Sequence, residues 1–365
     1  IRDELLAVAL GIWDHIKNGP PEEENGDDPF QAAEWALDWI GFLPGKRESR
    51  RFIGQHVLTE YDILTSRPFD DAIAYGGWSL DLHPPEGIDA DDQEPCVQHP
   101  VPHLYDIPLS SCVARDVSNL MFAGRNISAT HEAFSSTRVM ATCAAVGQGV
   151  GTAAAIAVRS STAIDQLTAD AAAMQTIQQQ LLRDDAFLIN RQPDAAANSA
   201  NTAVITASSE MPEAEATNVV SGFTRSVHGR SGAHPDRCIA GTHRWMSDPA
   251  DGLPAWLQFN WDTPVTIAEV RLIFDTGLHR HLTLSHHDGY TSRMHWGTAQ
   301  PETVRDYTVE ARDGNTWTSL IEVHNNDQRL RRHTLPTPCR TTSLRIHITQ
   351  TNGLDHARIM EVFVH

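Results

Sequence analysis

The chain has 365 residues, with 28 Lys and Arg against 47 Asp and Glu, a formal charge of −19. That balance disfavours nucleic acid and anionic membrane surfaces as partners, and the length is enough for two domains. Cys96, Cys112, Cys143, Cys238 and Cys339 are scattered and contain no CxxC pair, which argues against a zinc ribbon or a dense disulfide framework.

From Ile1 to Lys17, Leu5, Leu6, Val8, Ala9, Ile12, Trp13 and Ile16 recur on one broad face and predict a packed amphipathic helix. Residues 18–29 are rich in Gly, Pro, Glu and Asp and read as a surface loop. A second helix is expected from Phe30 to Ile40, with Trp35 and Trp39 at i, i+4 in the core. The run 45–51 gathers Lys46, Arg47, Arg50 and Arg51 in an acidic protein, either as a solvated turn or as an anion site. Ile53 to Thr59 reads as a strand and Tyr61 to Ser66 as a short helix.

Tyr75 to His83 alternates as a strand entered through a glycine pair. His83 precedes Pro84-Pro85, so it sits at a strand end before a rigid turn; it reads as a proton donor or acceptor, or as a structural histidine. Glu86 to Glu94 is an acidic, solvated loop, and Tyr105 to Leu109 leads to a further strand.

Residues 119–159 organise the rest. Leu120 to Ala123 reads as a buried strand, and Gly124 ends it at a turn. Ser135, Ser136 or Thr137 can cap a helix running from Thr137 to Arg159. Gly147, Gly149 and Gly151 lie inside it at roughly 1 kcal/mol each relative to Ala. Close approach of another backbone, or of a flat ligand, would offset that cost. The helix start favours negative charge. Arg138 in that first turn opposes the dipole and calls for an anionic partner; Arg125 and His131 read either as site groups or as parts of a closed turn. Val139 to Val158 is uncharged and long enough to span a bilayer, but it is built from Ala, Gly and Thr around Gln148, and no membrane role is expected.

The segments AGRNISATH, SSTRVMATCA and GQGVGTAAA resemble the C-terminal signature of the FAD-dependent oxidoreductase family, flavoproteins with a two-dinucleotide-binding-domain-like fold. GFLPGKRESRRFIG, LTEYDIL and GGWSLDLHPPEG are similar to the same family in the same order, so the resemblance covers about residues 1 to 185. It implies FAD as cofactor, a strand-turn-helix lying against the flavin, and a basic 45–51 run near it. Cofactor contacts would come from Gly124, Arg125, Asn126, Ser136, Thr137, Val139, Met140, Gly147, Gln148 and Gly151; His83, His131 and Arg138 would be catalytic. The family's GxGxxG fingerprint is not found, so the chain reads as the C-terminal portion of a longer flavoprotein, inactive and without tight FAD on its own.

Asp170 to Arg183 reads as another helix, and residues 190–201 have linker composition. Helical periodicity then gives way to strand-like runs at 203–207, 255–261, 266–274, 305–311, 316–323, 343–349 and 357–364. ATNVVSGFTR, PAWLQFNWDTPVTIAEVRLIFD, RDYTVEARDGNTWTSL and TTSLRIHITQTNG resemble a discoidin-like, galactose-binding-like domain, which implies a jelly roll able to bind sugars. The expected fold is an α/β (α+β) flavoprotein portion over 1–189, a linker over 190–201 and an all-β jelly-roll sandwich over 202–365. The long loop 278–300 carries His279, His281, His286 and His287 without metal spacing, and Tyr290, Met294 and Trp296 as sticky groups. It is expected to fold over the flavin-side domain and shape the substrate entrance. The expected partner is a small molecule or carbohydrate and no metal is expected; the alternative is a non-catalytic carbohydrate-binding module with a degenerate flavin half.

Overall fold

The computed structural model describes residues 2–18, 32, 34–43, 45, 48, 50–90, 92–227, 232–237, 239, 241–280 and 288–365. Two compact units divide at residue 50. The first holds helix α1 (Arg2–Asn18), with Asp3 and Glu4 in its first turn and His15 and Lys17 in its last, charges that suit the helix dipole. The expected amphipathic stripe is there, yet none of its residues is buried. The second helix expected over 30–40 is not formed among its described residues: 35–40 are irregular, and Trp35 and Trp39 are 69% and 77% exposed. A short helix that buries nothing does not recover its nucleation cost. Lys46 and Arg47 lie outside the described residues.

The second unit, residues 51–365, begins with extended chain. The strand expected at 53–59 is reduced to isolated bridges, Gly54 to Ala114 and Leu58 to Ala129. Thr59 then caps helix α2 (Glu60–Leu64) in a reciprocal box, accepting from Asp62 N while the Asp62 carboxylate accepts from Thr59 N at 3.0 Å. Strands β1 (Ala72–Gly76), β2 (Leu80–Leu82), β3 (Val97–His99) and β4 (Tyr105–Pro108) form two antiparallel ladders, β1 with β4 and β2 with β3. The single strand expected over 75–83 is therefore split at its glycine pair. A Cβ on Gly76 would fall 2.3 Å from the Tyr105 ring, so this crossing requires glycine.

The strand expected at 120–123 contributes one bridge, Met121 to Val113. The long helix is preceded by a separate short one: α3 (His131–Thr137) is capped by Thr130, and α4 (Met140–Ser160) starts afresh after Arg138 and Val139. Ser135, Ser136 and Thr137 therefore do not cap the long helix; they are buried in α3. Helix α4 packs on β1 at Gly149, where a Cβ would meet Ile73 at 2.8 Å, while Gly147 and Gly151 face open space. Helix α5 (Ala171–Arg183), capped by Asp170, covers α4 through Met174, Ile177 and Leu181. Helix α4 is long and apolar enough to cross a membrane by length and composition, and a third of its apolar stretch is buried.

The proposed linker is packed chain. Two 3-10 turns at 195–197 and 199–202 flank Asn198, which donates to Val362 O and accepts from Val364 N. Strands β5 (Val204–Ala207), β6 (Trp245–Met246), β7 (Ala255–Phe274), β8 (Val304–Asp313), β9 (Thr316–Val323), β10 (Leu330–Thr351) and β11 (Arg358–Val364) follow in one antiparallel network ordered β6-β11-β7-β10-β8-β9, with β5 on β7. The expected pairs 255–261 and 266–274 are two halves of β7, and the early half of β10 was not expected. Both long strands change partners along their length: Ala255–Asn260 pairs with β5 and the end of β10, and Val270–Phe274 with β11 and the start of β10. The network thus folds over as a sandwich whose interior holds Leu257, Phe259, Val270, Leu272, Leu344, Ile346 and Val362. Ala255–Trp261 alternates buried and half-buried, as a one-sided strand should, whereas Val270–Phe274 is buried throughout. Its outward side chains are covered: Arg271 Nη1 donates to Arg183 O at 3.0 Å, and Ile273 clusters with Met360 and Phe363.

Candidate functional site

Arg138 sits where α3 ends and α4 begins, with its side chain 12% exposed. Its guanidinium donates to Asp81 Oδ2 on β2 and lies 3.2 Å from His83 Nε2. His83 Nδ1 lies 2.9 Å from Pro95 O, which can only accept, so Nδ1 carries a proton, while Nε2 faces both Arg138 and, at 3.4 Å, Asp81 Oδ2. Cys96 donates to the other oxygen of Asp81. Burial pushes the Asp81 carboxyl up, but the bonds from Cys96 and the charges of Arg138 and His83 more than offset it and hold it below the usual range. The Asp81 contact with Cys96, with burial, raises that thiol.

Leu82, His83 and Pro84 form one wall of a cavity of about 530 Å3 whose other walls include Glu94, His99, His131 and Glu132. The structure therefore brings His83 and His131 to one cavity, with Arg138 bonded to His83 behind its wall. Sequence reading missed Asp81, Cys96, His99 and Glu132. Asp81 was legible, because residues i and i+2 of a strand share a face and His83 is two positions on. Cys96, just before β3, and His99 within it lie 15 or more residues from Asp81, and only the β2–β3 ladder brings them near.

The ligand atoms of Asp81, His83 and Cys96 lie within 4.8 Å of one another. The Arg138 cation already shares Asp81 Oδ2, so the positive charge of this cluster is internal. His281, His286 and His287 lie outside the described residues. His279 faces Glu302 at 3.8 Å, and Trp296 is 60% exposed. Leu278, at the start of that loop, does line a cavity of about 670 Å3 with Tyr75, Gln148 and Phe187.

The remaining predicted residues fall into two groups. Gly124, at φ +67°, opens a 3-10 turn whose Arg125 and Asn126 are exposed; Met140, Gly147, Gln148 and Gly151 are exposed along α4. Val139 offers α4 no side-chain cap. Ser136 and Thr137 point inward. Ser136 donates to Trp78 O at 2.5 Å and meets the Tyr105 hydroxyl at 2.6 Å, and Thr137 is 1% exposed. Their side chains are taken up within the fold.

The family model for FAD dependent oxidoreductases matches residues 1–181. A comparison with curated proteins finds no match. The sandwich is similar to the family 32 carbohydrate-binding module of C. perfringens NanJ, solved with galactose, at 15% identity and a TM-score of 0.32, covering 45% of this chain and 94% of that one. It is also similar to chitosan-binding module 1 of a Paenibacillus sp. IK-5 chitosanase/glucanase (19% identity, TM-score 0.32, 46% and 98% covered) and to the family 32 module of Streptococcus pneumoniae EndoD (14%, 0.31, 45% and 94%). The matched segment offers groups of the kind that one end of FAD would need. The uncapped N–H groups of α4 suit an electron-rich carbonyl edge, and exposed Met140 supplies an apolar surface beside them. Arg125 lies near enough to the Cys143 thiol on α4 to lower it, against the larger upward effect of burial.

Proposed function

We propose that the chain serves a flavin-dependent oxidation of a small, hydroxyl-bearing organic molecule of carbohydrate type, with His83, His131 and Arg138 at the reacting end. FAD would be held by the Gly124–Asn126 turn and by Val139, Met140, Gly147, Gln148 and Gly151 of α4, and would supply the acceptor for the hydride or electrons. The observation that carries the reading is His83: with Nδ1 protonated toward Pro95 O, Nε2 is the atom of the neutral ring that can accept a proton, at a cavity wall beside Arg138 and Asp81. A substrate C–H and O–H are both lost on oxidation to a carbonyl, and Nε2 takes the hydroxyl proton. Arg138, fixed by Asp81, favours the oxygen as negative charge builds on it. His99, His131, Glu94 and Glu132 line a polar wall suited to hydroxyl groups. The domain reading 1–189, 190–201 and 202–365 belongs to the same proposal.

The test is flavin absorbance of the protein containing this chain and its bleaching by candidate sugars. His83→Ala and Arg138→Ala should slow bleaching by about 100-fold or more while leaving the fold intact. Unchanged bleaching in both variants would overturn the assignment.

A further inference from the structure

A third cavity, of about 410 Å3, lies along the flank of α5 and shares no residue with the two described above. Arg271 of β7 lines it. This arginine is 2% exposed, and its guanidinium lies 3.8 Å from the centre of the Phe363 ring. Nη1 donates to Arg183 O, whereas Nε is buried with no partner among the described residues. Nε and Nη2 form the edge that takes both oxygens of a carboxylate in parallel. The carboxylates whose charge reaches it have other partners: Glu361 accepts from Gly222 N at 3.1 Å. Glu269 bonds Arg183 at 2.8 Å and lies 3.9 Å from Arg332; Asp184 bonds Arg332 at 3.0 Å. Burial, and then the charges of Arg183 and Arg332, pull the Arg271 guanidinium down to about 10. A buried cation with an unmet donor edge is costly, and an entering anion relieves both the charge and the missing bond.

The rim is polar. Gln175 and Thr176 of α5 line it, and His365 Nε2 is a second buried atom without a hydrogen-bond partner among the described residues. Asp194 also lies on the rim, but its carboxylate accepts from its own backbone at Ala196 N, 3.0 Å away. We propose that this cavity binds a sugar acid of hexuronate size, its carboxylate on the Nε–Nη2 edge of Arg271 and its hydroxyls toward Gln175, Thr176 and His365. The carboxylate follows from the planar donor pair, and the polyol from the neutral Gln175, Thr176, Gln179 and Gln180, which line the cavity together with the charged Arg183 and Asp194.

Calorimetric titration of the chain with glucuronate, glucose and inorganic phosphate tests the assignment. Glucuronate should bind saturably, glucose should not, and phosphate should bind about tenfold more weakly or less. Arg271→Lys keeps the charge but loses the planar edge, and should weaken glucuronate at least about tenfold. Gln175→Trp, at an exposed helix position, fills the mouth and should abolish binding without lowering the melting temperature; it decides the matter if the Arg271 variant does not fold. Absence of saturable glucuronate binding, equal binding of glucose or phosphate, or unchanged binding in Gln175→Trp would overturn the proposal.

Discussion

Asp81 holds three neighbours at once, and that makes its ionisation a measurable contributor to stability. Its carboxyl is held below its ordinary range when folded, so the stabilisation is present above the unfolded value near pH 4 and is lost as pH falls through the folded one. Asp81→Asn should cost about 1–3 kcal/mol at pH 7, with the difference from wild type shrinking in acid. Urea unfolding at several pH values checks this, and a constant offset would contradict it. His333 works in the opposite chemical sense toward the same end. Burial, and then Arg331, lower its imidazole to about 4, and its Nε2 lies 2.8 Å from the Tyr307 hydroxyl. The unfolded chain protonates this group first, so stability should decline as pH falls from about 6.5 to about 4. His333→Gln should flatten that part of the profile.

Among the elements, α4 separates what local sequence tells from what it does not. Its length, its composition and the need for a close approach were legible in the glycine spacing. Which glycine makes the approach was not, because that depends on the rotation of the helix against β1. Gly149→Ala should destabilise by about 1–3 kcal/mol through overpacking on Ile73. Gly147→Ala and Gly151→Ala meet nothing within 4 Å and should instead stabilise by about 0.5–1 kcal/mol each. Thermal or urea melts of the three variants separate these outcomes. The break between α3 and α4 was also hidden. The chain leaves the helical path at Val139, just after Arg138, whose side chain reaches Asp81, a partner 57 positions earlier, and no local period records that. The sandwich strands were legible by alternation wherever one face is open, as in Ala255–Trp261. The early half of β10, rich in Arg, Thr and Pro, carried no such alternation.

At the scale of the whole second unit, composition suggested two modules joined by a tether, and the side chains join them more firmly than that. Asp106 on β4 is fully buried and receives Arg237 at 2.7 Å, from the sandwich segment, with Arg191 at 4.0 Å. Asp185 takes Arg225 at 3.3 Å and Arg329 at 2.6 Å. Removing one member of such a pair strands a buried charge, so Arg237→Ala should cost about 3–5 kcal/mol. Residues 51–365 should melt in one calorimetric transition, and two separate transitions at wild-type sequence would contradict that coupling.

The position of β11 also bears on the order in which a nascent chain can acquire its shape. Residues 358–364 lie inside the strand order, between β6 and β7, and Asn198 bonds to Val362 and Val364. A ribosome delivers residue 198 more than 160 positions before those partners, at about 5–20 residues per second. Through that interval β7 lacks a neighbour on one side, its apolar residues stand open, and the segment around Asn198 has nothing to hold. The sheet is completed from the middle, by the last strand made, so chaperone dependence during synthesis should be concentrated in the seconds before residue 364 emerges.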